Sequence, residues 1–186
     1  MTTALLIIDV QNAIVQDSAA PERQKQIDAA LDSMVSRLHS VQQRARAAGI
    51  PVVLVRHDGG PGDPLARGTA GWQLRAEIAP LAGEPVVDKS SCDSFFETDL
   101  AARLQALSVR HLLIGGCMTQ YCVDTTARRA VSLGYDVTLL EDGHGTADMG
   151  DLTFQQIIAH HNRLLNGFSA GAHAIKLRRA EDVEFP

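Results

Sequence analysis

Short runs of consecutive apolar residues recur along the chain and are separated by longer segments in which apolar residues repeat every three or four positions. Each run is continuous rather than alternating, which is typical of strands covered on both faces of a parallel sheet. The pattern therefore predicts six strands. They fall at residues 4–8, 52–55, 86–87, 109–114, 137–140 and 172–175.

The segments between the runs predict helices. The longest, residues 22–48, has apolar residues in steps of four and three and ends before Gly49 and Pro51, which stop a helix. Further helices are predicted at residues 98–107, 119–133 and 152–165, with a long loop over 57–85 that contains a short helix near 72–78. Alternating strands and helices favour an α/β fold with a parallel sheet, right-handed crossovers and helices on both faces, in a single domain spanning residues 1–186.

In such sheets the ligand crevice lies beyond the carboxyl ends of the strands. Several polar or reactive side chains follow the predicted strands directly, and we expect them to meet at that edge. They are Asp9 after the first strand, Arg56, His57 and Asp58 after the second, Asp88 and Lys89 after the third, residues 117–122 after the fourth, and Glu141, Asp142 and His144 after the fifth.

Cys122 stands where a strand passes into a predicted helix, with Thr119 as a possible N-cap. A cysteine in the first turn of a helix usually has a lowered pKa and is nucleophilic, because unpaired N–H groups and the helix dipole stabilise the thiolate. The same N–H groups could hold a developing oxyanion. The alternative is a small packing residue where helix meets strand.

Asp9 and Lys89 could complete a catalytic group with Cys122. Asp9 would take the thiol proton and return it to a leaving amine, and Lys89 would favour both the thiolate and the ionised carboxylate. The thiolate would then form a covalent acyl-enzyme that water resolves. The alternative is a salt bridge across strand ends beside a packed cysteine.

Composition narrows the classes of partner. The 186 residues carry a net charge of −5, which argues against nucleic-acid binding, and no apolar run approaches membrane-spanning length. The three cysteines match no zinc or thioredoxin spacing, and the N-terminus does not resemble a signal peptide. We therefore expect a cytoplasmic enzyme with a small-molecule substrate and no cofactor, nucleic acid or membrane partner.

Three ordered segments resemble the motifs of the isochorismatase-like cysteine hydrolase superfamily, which includes nicotinamidases and N-carbamoyl amidases. Residues 9–12 (DVQN) resemble its D-x-Q motif, and residues 89–100 (KSSCDSFFETDL) resemble its lysine segment. Residues 115–130 (GGCMTQYCVDTTARRA) resemble its nucleophile segment, and GYDV and ED at 134–142 continue the match.

The resemblance implies a six-stranded parallel sheet in a three-layer α/β/α sandwich, of Rossmann-like type, and an Asp9–Lys89–Cys122 triad. It also implies a cis peptide bond before Met118, with the backbone N–H groups of Met118 and Cys122 as the oxyanion hole. Members commonly form homodimers or homotetramers with sites near the subunit contacts.

The candidate substrate-binding residues surround the motifs. They are Gln11, His57, Trp72, Phe95, Gln120 and His144. The metal-binding segment of nicotinamidases is incomplete here, so no metal is expected, although His57, Asp58 and Asp63 could provide ligands.

Cys122 favours hydrolysis of an amide, ureido or N-carbamoyl bond through a thioester. The alternatives are a vinyl-ether hydrolase with Asp9 as general acid, in which the cysteine is incidental, or a non-catalytic oligomeric binding protein. A thiol redox protein would lack a resolving cysteine close in sequence.

Overall fold

The computed structural model describes residues 2–185. Seven strands form one sheet in the order β3-β2-β1-β4-β5-β7-β6. The strands are β1 Thr3–Ile8, β2 Val52–His57, β3 Val86–Lys89, β4 His111–Cys117, β5 Asp136–Gly145, β6 Ser169–Ala170 and β7 His173–Arg178. All pairs are parallel except β6 with β7, so the six predicted strands are confirmed and a two-residue antiparallel edge strand is added.

Four α-helices cover the sheet, and together with it they form the predicted three-layer sandwich. They are α1 Pro21–Ala47, α2 Leu100–Ala106, α3 Asp124–Ser132 and α4 Phe154–Leu165. Helix α1 packs on one face of the sheet, and α2 and α3 pack on the other. These faces are called the α1 face and the α3 face below. Among residues 2–185, no helix is both long enough and apolar enough to cross a bilayer.

The chain order of the strands reverses beside β1, because β2 and β3 extend the sheet on one side and β4, β5 and β7 extend it on the other. This is the switch point at which ligands bind in open α/β sheets. The carboxyl ends of β1 and β4 flank it, which places Asp9 and residues 117–122 at the edge where the sequence predicts them to meet.

Gly116 permits the close approach of β4 to the end of β1. It adopts φ +127°, and a Cβ built on it would lie 2.0 Å from the carbonyl oxygen of Ile8. Every larger residue would therefore push the two strands apart directly before Asp9. The register between β4 and β5 also shifts between Ile114 and Gly116.

Two local predictions differ from the structure. The predicted short helix near residues 72–78 is only a 3₁₀ turn at Ala76–Ile78. The predicted helix over 119–133 begins with a π-helical turn, Thr119–Val123, before α3. Such π turns widen the backbone spacing and are frequent at functional sites.

Candidate active site

Asp9 is the residue at which the chain leaves the buried strand β1. Its backbone turns into the left-handed region at φ +51°, which aspartate tolerates better than most residues. Its N–H donates to the carbonyl of Val55 at 2.9 Å, and the residue is fully buried. A carboxylate in this position requires a positively charged partner.

Lys89, the last residue of β3, supplies that partner. It lies opposite His57 in the β2–β3 register, and its ammonium reaches four acceptors. Nζ lies 2.5 Å from Asp9 Oδ2, 2.9 Å from the carbonyl oxygen of Ser91, 3.2 Å from Cys122 Sγ and 3.3 Å from His57 Nδ1. An ammonium has three N–H groups, and its three hydrogen bonds go to Ser91, Cys122 and His57, whereas the contact with Asp9 is an ion pair.

Cys122 lies in the π turn and not in the first turn of an α-helix, so the predicted N-cap role of Thr119 is wrong. The Thr119 hydroxyl instead pairs with His144 Nδ1 at 2.9 Å. The peptide bond between Cys117 and Met118 is cis, as the resemblance implies. Among residues 2–185, no backbone hydrogen bond outside the regular elements uses the N–H of Met118.

The electrostatics of the thiol differ from the sequence prediction. Burial, followed by the charge of Asp9, raises the pKa of Cys122, and Lys89 opposes this only in part. Burial alone would lower the pKa of Lys89, but Asp9 and Cys122 outweigh it, and the net pKa of Lys89 is raised. Lys89 is therefore an ammonium and Cys122 a neutral thiol at rest, and the thiol must lose its proton to a base before it can act as a nucleophile.

Access to this group is narrow. Asp9 is 0% exposed, Lys89 3% and Cys122 8%, whereas His57 is only half-buried. A small molecule approaching from outside would meet the sulfur and the imidazole first. The arrangement can thus place an electrophile on sulfur while the proton acceptor stays shielded from water.

His57 is held by the buried side chain of Gln11. The Gln11 Oε1 accepts from the His57 N–H at 2.8 Å, and its Nε2 donates to the carbonyls of His57 and Trp72 at 2.9 and 2.8 Å. Burial, reinforced by Lys89, lowers the pKa of His57, so the ring is neutral and its Nδ1 can accept from Lys89. Because the Gln11 amide is fully used by the protein, it supports the site rather than contacting substrate.

His144 also has a different place from the one the sequence suggests. It is 2% exposed, and its Nε2 lies 2.8 Å from Asn162 Oδ1. Asn162 Nδ2 donates to the carbonyl of Glu141, which fixes Oδ1 toward the ring, so His144 carries its proton on Nε2 and accepts the Thr119 hydroxyl proton at Nδ1. Burial lowers the pKa of His144 to about 4. His144 therefore supports the π turn, and it also borders a small cavity of about 250 Å³ together with Met34 and Phe154.

Asn162 and Ser91 are the members that sequence reasoning missed. Asn162 lies four residues after Ile158, on the buried face of α4. A polar residue on this otherwise apolar face is the sequence feature that could have identified it. Ser91 contributes only its backbone carbonyl, so the residue type at this position gives no indication of the contact.

Phe95, Trp72 and Gln120 occupy three different surroundings. Phe95 belongs to the same apolar cluster as Cys122, on the α3 face. The Trp72 ring stacks on Arg56, with 3.4 Å between Cζ and the ring centroid, and side-chain alternation puts Arg56 on the face opposite to His57. Both amide atoms of Gln120 are buried without a hydrogen-bond partner in the described part of the chain.

The alternative metal ligands do not come together. Asp58 bonds to Arg67 at 3.1 Å, and Asp63 accepts from the N–H of Leu65 at 2.7 Å. The one His/Cys/Asp/Glu group with converging ligand atoms among residues 2–185 is instead Asp9, His57 and Cys122. A cavity of about 660 Å³ is lined by residues such as Thr3 and His111, at the start of β1 and β4 and so at the end of the sheet opposite to Cys122.

The chain is similar to several known proteins. The isochorismatase domain model matches residues 3–164. A streptothricin hydrolase of Streptomyces noursei is 40% identical over 147 residues, 78% of this chain and 50% of the relative, so the chain spans about half the length of that relative. A ureidoacrylate amidohydrolase of Variovorax paradoxus is 28% identical over 183 residues, 83% of this chain and 72% of the relative.

Among solved structures, an isochorismatase from Pseudomonas putida KT2440 superposes with a TM-score of 0.84 at 26% identity, covering 98% of this chain and 90% of the other. The family match spans most of the chain, and it includes all three segments that supply Asp9, Lys89 and Cys122. The chain therefore belongs to the isochorismatase family.

Proposed function

We propose that this protein is a cysteine-dependent hydrolase of a small C–N bond substrate, such as a linear amide, a ureido compound or an N-carbamoyl acid. The observation that carries the proposal is the position of the Lys89 ammonium, 2.5 Å from Asp9 Oδ2 and 3.2 Å from Cys122 Sγ. A salt bridge alone would not require a cysteine within hydrogen-bonding distance of the lysine.

The first half of the reaction forms a thioester. Asp9 removes the proton of the Cys122 thiol as the sulfur attacks the carbonyl carbon, and Lys89 stabilises the thiolate as it forms. The N–H groups of Met118 and Cys122 receive the oxyanion. When the intermediate collapses, the C–N bond breaks and Asp9 gives its proton to the departing nitrogen.

The second half releases the acyl group. Asp9, again a carboxylate, takes a proton from water as the water oxygen attacks the thioester carbon. Collapse breaks the C–S bond, the sulfur recovers the proton, and the product leaves as a carboxylic or carbamic acid. The cycle needs no cofactor, because every proton taken by Asp9 is returned within the same site.

The activities for which two relatives are named support a substrate with a C–N bond. The Streptomyces noursei relative is named a streptothricin hydrolase, and the Variovorax paradoxus relative is named a ureidoacrylate amidohydrolase. Gln120, two residues before the nucleophile and with both amide atoms unpaired among residues 2–185, is the substrate-binding side chain that we propose first. Phe95, which shares a cluster with Cys122, would form the apolar wall.

The test is a screen of small amides, ureido compounds and N-carbamoyl acids with detection of ammonia or amine release. For an active substrate, Cys122→Ser should lower kcat by more than about 1000-fold, and a trapped acyl group should add its mass to the peptide containing Cys122 in the wild type. Cys92→Ser is the matched control, because Cys92 is a free and more exposed thiol outside the triad.

Near-normal turnover in a Cys122→Ala variant would reject the thioester route. If such activity were directed at a vinyl ether and still required Asp9, the alternative with Asp9 as general acid would replace the proposal. Failure of the wild-type thiol to react with substrate-like electrophiles at any pH would instead favour a binding protein.

A further inference from the structure

We propose that the acceptors around the Lys89 ammonium form a cation site that fits a thiophilic divalent metal ion, and that Lys89 keeps such ions away from the nucleophile. The ligand atoms of Asp9, His57 and Cys122 all lie within 4.8 Å of one another. The Lys89 Nζ is within 3.3 Å of an acceptor atom on each of them. Binding of the ion at this site would require no substrate.

The donor set is that of a zinc site. It offers a carboxylate oxygen, an imidazole nitrogen and a cysteine sulfur. The carbonyl oxygen of Ser91 also faces the Lys89 ammonium, at 2.9 Å from Nζ. Ligand atoms on one tetrahedral zinc ion are roughly 3.5 Å apart, given bonds of about 2.0–2.3 Å. Since the ligand atoms lie within 4.8 Å of one another, they would need to draw together by at most about 1.3 Å around a metal.

The imidazole is already prepared as a ligand. The His57 Nδ1 points at Lys89 Nζ at 3.3 Å. Gln11 fixes the backbone of His57 from both its N–H and its carbonyl. Metal sites gain affinity from ligands whose orientation is fixed by neighbouring hydrogen bonds.

Charge explains why Lys89 would exclude the metal. The buried Asp9 carboxylate is balanced by one ammonium at 2.5 Å, and a divalent ion beside that ammonium would be strongly repelled. Without the ammonium, the Asp9 carboxylate and the thiolate that forms when Cys122 gives up its proton would together balance the two charges of a divalent ion. Binding releases the Cys122 proton to solvent as the sulfur–metal bond forms.

The experiment is a titration with Co²⁺, which reports sulfur ligation through a thiolate-to-cobalt absorption band. Lys89→Ala should bind Co²⁺ at least about 100-fold more tightly than the wild type. The band should disappear in Lys89→Ala/Cys122→Ser and weaken in Lys89→Ala/His57→Gln, whereas Lys89→Ala/Cys92→Ser should keep it. Addition of n-propylammonium, which replaces the atoms that the substitution deletes, should displace the metal.

Two further measurements keep the proposal testable if Lys89→Ala folds poorly. Zn²⁺ should not slow iodoacetamide alkylation of Cys122 in the wild type, but it should do so in Lys89→Ser, which retains a small polar side chain. Co²⁺ should raise the Tm of each folded Lys89 variant and leave that of the wild type unchanged. A sulfur–cobalt band of equal affinity in the wild type, or a folded Lys89 variant without one, would overturn the inference.

Discussion

The π turn lies between two regions that hold it in place, one through charged groups and the other through uncharged hydrogen bonds. On one side is a charged cluster, in which Lys89 contacts Asp9, His57 and Cys122. On the other side is an uncharged chain of hydrogen bonds from Thr119 through His144 and Asn162 to the carbonyl of Glu141. Ionisable groups do the proposed chemistry in the first region, and a titratable ring is kept neutral for support in the second.

The two histidines show that neighbouring charges decide the role of a buried imidazole ring. Burial lowers the pKa of both, and His57 in addition lies beside the ammonium of Lys89. His144 meets a hydroxyl and an amide, so its protonation would disrupt hydrogen bonds without assisting a reaction. A buried histidine beside a nucleophile is therefore not by itself a catalytic group; the charge of its neighbours decides which role it can take.

The largest expected effect comes from Asp9→Asn. This substitution removes the negative charge of the carboxylate and keeps the shape of the side chain. Turnover should fall by roughly 10²–10⁴-fold, because the general base is lost. Alkylation of Cys122 by iodoacetamide at neutral pH should nevertheless become faster. Asp9 helps to raise the pKa of the thiol, and Lys89, which lowers it, remains in place. The measurement is the pH dependence of the alkylation rate, followed by mass spectrometry of the Cys122 peptide.

Lower turnover together with faster alkylation distinguishes a catalytic cluster from a salt bridge that lies beside a packed cysteine. A Cys92→Ser background removes labelling at the half-buried thiol and serves as the control. Slower or unchanged alkylation in Asp9→Asn would mean that the charge of Asp9 does not raise the pKa of the thiol, and undiminished turnover in the same variant would reject Asp9 as the base.

The next largest effect tests the neutral region through its pH dependence. His144 has a folded pKa of about 4, below the ordinary value of 6.5, so its contribution to stability is present above pH 6.5 and is lost as the pH falls toward 4. A shift of this size corresponds to roughly 3 kcal/mol of unfolding free energy. Urea unfolding of wild type and His144→Gln across this range should show the extra acid sensitivity only in the wild type.

The exposed His160 provides the matched control for this measurement. His160→Gln should retain the acid sensitivity of the wild type, since the carboxylates that also titrate are the same in all three proteins. Parallel pH curves for wild type and His144→Gln would show that the ring is not held neutral by the fold.

The fold was largely predictable because continuous apolar strands and a long periodic helix report burial directly. The strand-end rule also located Asp9, Lys89 and Cys122, since parallel strands bring their carboxyl ends to one edge. The thiol pKa was predicted in the wrong direction. Sequence revealed the cysteine after a strand, but not the π turn or the burial that raises its pKa.

The roles of Gln11 and His144 could not be predicted for a related reason. Both are polar residues near strand ends, which is also where substrate-binding groups stand. Only the fold shows that every hydrogen-bonding atom of the Gln11 amide and of the His144 ring is paired within the protein. Their partners come from distant segments or from backbone groups, which a sequence pattern does not record.

The smallest expected effect, at Thr119, decides whether the neutral region matters for catalysis. Thr119→Val keeps the shape of the side chain but cannot donate to His144, whereas Thr119→Ser keeps the hydroxyl. Because Thr119 joins Met118 to the π turn, losing this bond should lower kcat about tenfold with little change in KM, which is the loss of roughly one hydrogen bond in the transition state. Thr119→Ser should restore kcat. Equal kcat values for the valine variant and the wild type, with reduced stability in the former, would limit the Thr119–His144–Asn162 chain to a structural role.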